Sequence, residues 1–350
     1  MAPAAHLAAA AHAAGRSKGD SLLVTAVYNA ADTSRVDVKL VDVTSGAIVT
    51  HLDKQRSTGH IATTGGLIFL APTGSTAASI GVLNPATGAM TDIPTGTPAN
   101  GGPTSRPAYV FGQVPATGGY KVLSIDTAGG YGHQPNQSCE ILSLGGRWRS
   151  APSPPVLVNM TVSRHRAVTQ GFAHFLTTSR TAAAGDFDGI ASFDLAKEEW
   201  RPSLLQGPLP SKSRNCCHSN LSLVELNGCL VFVHHDYLSC CIDLWALTDL
   251  EKGTWLRIQS LHLGSILHGW EEPKKDEPAP LIPTTHHRKE IFAQPLMVLD
   301  DGRIAFWVGV PNGAVRVYDP KTRKCKEVVA MGKSCSMVGL YKGSQLGLAK

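Results

Sequence analysis

"IGVLNPATGAM", residues 80–90, begins with the sheet formers Ile80, Val82 and Leu83 and then breaks at Asn84-Pro85-Ala86-Thr87-Gly88. Nearly the same phrase returns as "VRVYDPKTRKC", residues 315–325. Taking the Asp or Asn that ends each apolar run as an anchor, the pattern is found at Asp42, Asn84, Asp194, Asp249 and Asp319, with Ser143 in a shortened sixth copy. Six residues after each full anchor stands an apolar residue: Ile48, Met90, Trp200, Trp255 and Cys325. In the short copy it is Trp148. The intervals between successive anchors are 42, 59, 51, 55 and 70 residues, a period of about 50 that matches kelch-type repeats.

The phrase carries turn chemistry. An Asp or Asn side-chain oxygen can accept from the backbone N–H two residues on, and a following Pro presets φ for the first central position of a type I turn. A second signal stands 17 to 24 residues before each anchor: a Gly and then an apolar run, as in "GGLIFLA" (Gly65), "GFAHFL" (Gly171), "NGCLVFV" (Asn227) and "DGRIAFWV" (Asp301). That distance fits two strands and a hairpin. Strand, turn, strand at six positions predicts an all-β, kelch-like β-propeller of six blades. A β-sandwich is the structural alternative.

Composition agrees. The chain has 35 Gly and 22 Pro in 350 residues, with 43% apolar and 17% charged residues, which suits short strands and tight turns and is enough to bury a core. The net charge of +5 includes no long Lys/Arg run, so neither nucleic acid nor a membrane is expected as a partner. No apolar run approaches the ~18 residues of a spanning helix. The adjacent pairs Cys216-Cys217 and Cys240-Cys241 do not resemble a disulfide framework, and a reducing cytoplasmic or nuclear compartment is expected. The sequons at Asn136, Asn159 and Asn220 mean little without a secretion signal.

We divide the chain into an Ala-rich segment, 1–19, and a propeller, 20–350. The segment reads as a short helix or as disordered, with a transit peptide as the other reading. Three stretches read as surface loops: Pro94–Pro107, Leu209–Asn220 and the Pro- and charge-rich His268–Glu290. "LTDLEK" is the one further place where a single helical turn is expected.

These motifs resemble the F-box-associated domain of plant F-box proteins. The similar phrases are, in order, "GGLIFL", "GVLNPATG", "YKVLSI", "FDLAKEEW", "LVELNGCL", "IDLWALTDLEKGTW", "PLMVLDDGRIAF" and "VYDPKTRK", spanning about residues 20 to 345. The resemblance implies a kelch-like propeller that captures a target protein for a ubiquitin ligase. In that family an N-terminal helical F-box with a Leu-Pro start docks on a Skp-type adaptor. This sequence begins at what resembles the junction after that module. Either a stand-alone propeller or an incomplete copy is expected, and the adaptor is a partner only if an F-box lies upstream.

The motifs of other chemistries are absent or incomplete. No Gly-x-Ser-x-Gly elbow and no Gly-x-Gly-x-x-Gly turn occur; before "MGKSCS" the P-loop's first Gly is replaced by Glu327. "DFDG", residues 186–189, lacks the later calcium ligands and reads as a hairpin turn. Cys216, Cys217, His218, His234, His235, Asp236, Cys240 and Cys241 cluster in sequence, but without zinc-ligand spacing. On a strand, adjacent residues face opposite sides, so one member of each pair is expected to be a buried apolar-type residue. Trp148, Trp200 and Trp255 are expected between blades, Trp245 and Trp307 within apolar strands, and Trp270 at the long loop as a candidate partner contact. No catalytic, cofactor-binding or metal-binding residue is assigned. The expected function is a non-enzymatic protein-interaction module with an unidentified target protein. The alternative is an enzyme or carbohydrate-binding protein on a kelch-like propeller.

Overall fold

The computed structural model describes residues 22–28, 35–56, 60–71, 79–95, 107–128, 136–160, 162–178, 189–209, 220–269, 292–309, 313–332 and 335–341. The Ala-rich segment, Trp270, Cys216, Cys217, His218, residues 186–188 and nearly all of the stretch from 268 to 290 lie outside these.

Six antiparallel sheets follow one another along the chain. The first contains β1 (Leu22–Tyr28), β2 (Arg35–Asp42) and β3 (Ile48–Arg56). The second runs β4 (His60–Thr64), β5 (Leu67–Ala71), β6 (Ser79–Asn84) and β7 (Ala89–Pro94). The third runs β8 (Ala108–Gln113), β9 (Tyr120–Ala128), β10 (Asn136–Ser143) and β11 (Arg149–Ala151). The fourth holds β12 (Arg166–Thr169), β13 (Phe172–Leu176) and β14 (Gly189–Asp194), with a broken outer strand, β15 (Glu199–Trp200) and β16 (Leu205–Gln206). The fifth runs β17 (Leu221–Leu226), β18 (Cys229–Asp236), β19 (Cys241–Asp249) and β20 (Thr254–His262). The sixth runs β21 (Ala293–Val298), β22 (Ile304–Val308), β23 (Gly313–Asp319) and β24 (Lys324–Gly332). The last strand, β25 (Cys335–Tyr341), returns to pair with β1, Leu22 opposite Tyr341 and Val24 opposite Gly339. The first blade is therefore completed by the end of the chain, which closes the ring.

The fold is an all-β, six-bladed propeller, and the sandwich alternative is set aside. Its core shows why. The buried apolar residues fall into six clusters, each between two successive blades. Phe69 and Val82 of the second blade pack with Phe111 and Val122 of the third, and Ile141 of the third packs with Phe175 and Phe193 of the fourth. Val24 and Leu40 of the first pack with Ile68 and Leu83 of the second. A middle strand such as β5 is buried from Ile68 to Ala71 without alternation, because both its faces meet a neighbouring sheet.

Each anchor is the last residue of its blade's third strand: Asp42, Asn84, Ser143, Asp194, Asp249 and Asp319. Asn84 pairs with Ala89, Asp194 with Glu199, Asp249 with Thr254 and Asp319 with Lys324, so four residues make each turn. The anchor side chain accepts from the N–H two residues on: Ala86 to Asn84 at 3.0 Å, Ala196 to Asp194 at 2.8 Å, Lys321 to Asp319 at 2.8 Å. The fourth turn residue has a left-handed backbone, as Gly88 (φ 69°), Glu198 (φ 61°) and Arg323 (φ 57°) show. "LTDLEK" is one of these hairpin turns rather than a helical turn, because Asp249 accepts from the Glu251 and Lys252 N–H groups. Helix is confined, among the described residues, to α1 (Leu263–His268) and one 3-10 turn, Ser163–His165.

Candidate interaction face and central channel

The order of strands gives the two ends of the ring different characters. The first-to-second and third-to-fourth connections all lie at one end, which we call the turn end. The second-to-third connections and the links between blades lie at the other, the connection end. At the turn end the connections are short and repeat. Gly65-Gly66, Gln170-Gly171 and Asn227-Gly228 each form a two-residue hairpin with positive φ at both positions, as a type I′ turn requires. Polar side chains bond these turns across blades: Tyr120 Oη to the Gly65 carbonyl at 2.6 Å, Gln170 Nε2 to the Gly228 carbonyl at 3.2 Å, Asn227 Nδ2 to the Val298 carbonyl at 3.3 Å.

The connection end does not repeat. All three stretches read as loops, 94–107, 209–220 and 268–290, join the outer strand of one blade to the inner strand of the next, so the strand ends they leave and enter are here. Leu238 is 71% exposed in the turn between β18 and β19, and Val156 is exposed in the link that follows β11. That link is pinned by Gln137, whose side chain both accepts from Val158 N and donates to the Val158 carbonyl, each at 2.9 Å. Exposed apolar side chains are not confined to this end, since Ile48, at the start of β3 on the turn end, is 57% exposed.

The inner strands surround a central channel of about 550 Å³. Thr63, Gln113, Thr169, Gln170 and Gln294 are among its polar lining. Among the described residues its charged lining is Arg164, Arg166 and Glu225. Glu225 stands near the turn end, where its carboxylate accepts from Gly228 N at 2.5 Å. The two arginines enter at the connection end from the 3-10 turn and the first residue of β12. Arg164 is 9% exposed and stacks over the Phe292 ring at 5.0 Å. Burial lowers both guanidinium pKa values, that of Arg166 to about 10.

Residues 17–337 match the family described as F-box associated beta propeller domain. The chain belongs to that family. No curated protein matches its sequence. Solved structures match it at low identity, three among them as follows. A protein of unknown function from Bacteroides caccae is 11% identical, with TM-score 0.44, over 93% of this chain and all of that one. An oligogalacturonate lyase in complex with manganese is 12% identical, with TM-score 0.43, over 89% of this chain and 79% of that one. A puromycin hydrolase mutant is 14% identical, with TM-score 0.47, over 91% of this chain and 48% of that one.

The F-box-associated propeller places the residues singled out from sequence as follows. His235 is 1% exposed while His234 is half-buried, the alternation a strand imposes; Cys240 is buried at a left-handed turn position (φ 54°), and Cys241, which opens β19, is half-buried. Among the described residues no group of three His, Cys, Asp or Glu side chains converges as metal ligands. His235 Nε2 lies 2.9 Å from the Ala293 carbonyl, and burial lowers its pKa to about 4. His174 is held between Ser192 Oγ at 2.8 Å and Thr169 Oγ1 at 3.3 Å; burial, with a smaller effect of Arg201, lowers its pKa to about 3. Both imidazoles are neutral framework groups. Trp148, Trp200 and Trp255 bridge blades, each giving its indole N–H to a carbonyl of the preceding blade. Trp307 is 8% exposed in the core, and Trp245 is half-buried under Arg257. Among the described residues no helix is long and apolar enough to cross a membrane.

Sequence reasoning missed Arg164 and Arg166. The signal was "SRHR", residues 163–166, which puts three basic side chains immediately before an inner strand.

Proposed function

We propose that this F-box-associated propeller is a protein-interaction module that holds its target at the connection end, and that it is not itself an enzyme. The observation that carries this reading is the asymmetry of the two ends. The turn end is bonded blade to blade through repeated short turns, whereas the long non-repeating stretches, with Leu238 and Val156 beside their strand ends, belong to the other. Function on a repeated scaffold is sought where the repeat is broken.

The family membership supports target capture for a ubiquitin ligase as the cellular role, in the cytoplasm or nucleus. Docking on a Skp-type adaptor is expected of a polypeptide that carries an F-box ahead of the propeller. The test is affinity capture from cell extract with mass spectrometry, using the wild-type chain, Leu238→Asp and Val156→Asp at the connection end, and Lys321→Glu at the turn end. A target retained by wild type and Lys321→Glu but lost from Leu238→Asp or Val156→Asp is expected. A target lost only from Lys321→Glu would reverse the assignment of ends.

A further inference from the structure

We propose that the connection-end mouth of the central channel is an oxyanion site, in which Arg166 and Arg164 receive a carboxylate or phosphoryl group from a side chain of the bound target. This rests on the interaction reading above and adds the chemistry the target must present.

Position comes first. The 3-10 turn Ser163–His165 and the start of β12 deliver both arginines to the channel wall at the end where the target is placed. The channel is roomy enough, at about 550 Å³, for a side chain and its water.

Among the described residues Arg166 has no anionic partner. Its Nη1 reaches the Met160 carbonyl at a long 3.3 Å. Its Nε is buried and has no hydrogen-bond partner among the described residues. A guanidinium remains charged at neutral pH, and burying one without an opposite charge is unfavourable. The one acid among the described channel-lining residues, Glu225, is near the opposite end and engages Gly228 N. Arg164 is oriented by its stacking on Phe292. Both arginines line the same mouth, and the planar donor fork of the Arg166 guanidinium is the geometry that carboxylate and phosphate accept best. The neutral Thr63, Gln113, Thr169 and Gln294 add no competing charge.

The experiment uses the whole chain, with inorganic phosphate and glutarate as separate probes at fixed ionic strength, read by thermal melting and titration calorimetry. One or both anions should raise the melting temperature saturably; which one does so distinguishes phosphoryl from carboxylate. Arg166→Gln should abolish the shift and leave the anion-free melting temperature unchanged or higher. Arg166→Lys keeps the charge but not the fork, and should weaken binding about tenfold. Arg303→Gln, in an exposed pair with Asp301 on the turn end, should behave as wild type. The proposal is overturned if neither anion gives a saturable shift, if Arg166→Gln retains the wild-type shift, or if anion-free Arg166→Gln melts well below wild type, which would mark Arg166 as an internally paired structural cation. Anion binding that depends on Arg166, in a chain whose captured target survives Arg166→Gln, would overturn the target's part and leave the interaction module standing.

Discussion

Trp200 of the fourth blade donates its indole N–H to the backbone carbonyl of Pro152, in the link leaving the third, at 2.7 Å. Trp148 does the same to Pro94 at 2.7 Å, and Trp255 to Gln206 at 2.8 Å. Three consecutive junctions are thus fastened at their outer strands by one repeated residue. The rings add apolar contact, Trp200 lying edge-on to Phe193 at 5.2 Å. Trp200→Phe should cost about 1 kcal/mol through the lost bond, and Trp200→Ala on the order of 3 kcal/mol. Urea unfolding checks both; equal stability of Trp200→Phe and wild type would show that the bond adds nothing.

Glu198 occupies a left-handed turn position with φ 61°, where most side chains are disfavoured. Its carboxylate reaches back to the third blade, bonding both Arg149 Nη atoms at 2.7 and 2.8 Å and Lys121 Nζ at 2.8 Å. The Arg149 bonds foremost, aided by Lys121, hold its pKa at about 2, against 4.5 ordinarily. A depressed carboxylate stabilises the fold fully above the unfolded value of 4.5, and the contribution is lost as pH falls toward 2. Allowing for solvent screening, Glu198→Gln should cost on the order of 1 kcal/mol at pH 7 and nothing below pH 2. Unfolding measured across that range decides it.

The buried neutral histidines act in a higher window. His174 and His235 have folded pKa values of about 3 and about 4, against 6.5 when exposed. Their stabilising contribution is present above pH 6.5 and declines as pH falls below it, because the unfolded chain takes up protons first. Each adds a slope of up to ~1.4 kcal/mol per pH unit. His174→Gln should remove one such increment of slope between pH 6.5 and 5; an unchanged slope would contradict its burial as a neutral ring.

The phrase that organises the chain can be tested at its own residues. Asn84→Ala removes the acceptor for Ala86 N and should cost about 1 kcal/mol. Gly88 has φ 69° with open space around its Cα, so Gly88→Ala should cost about 1 kcal/mol from backbone strain alone. Thermal melting of the two variants checks this without any change in packing to confuse it.

Much of this fold is legible because turn chemistry is local. Asn84 and Ala86 are two residues apart, so the bond between them can be read from "NPATG". The Gly-led runs likewise announce the start of second strands. What sequence does not announce is the partner across a junction. Trp200 and Pro152 are 48 residues apart, and nothing at Pro152 signals the bond. Glu198 and Arg323 stand where Gly46 and Gly88 stand in other blades, so the left-handed position is hidden by residue type. The channel exists only once six inner strands close, which is why sequence alone does not place Arg164 and Arg166 on one wall. The α1 helix, capped by the His262 side chain accepting from Ser265 N at 3.1 Å, has no Asp or Ser cap to betray it.

A target held at the connection end shields backbone there and leaves the turn end open. Amide hydrogen exchange on the complex with a captured target tests it most directly. Exchange should slow around Val156, Arg164–Arg166, Leu238 and Phe292, with the turns after Asp42, Asn84, Asp194 and Asp319 unchanged. Protection confined to those turns, with the connection end unaffected, would contradict it.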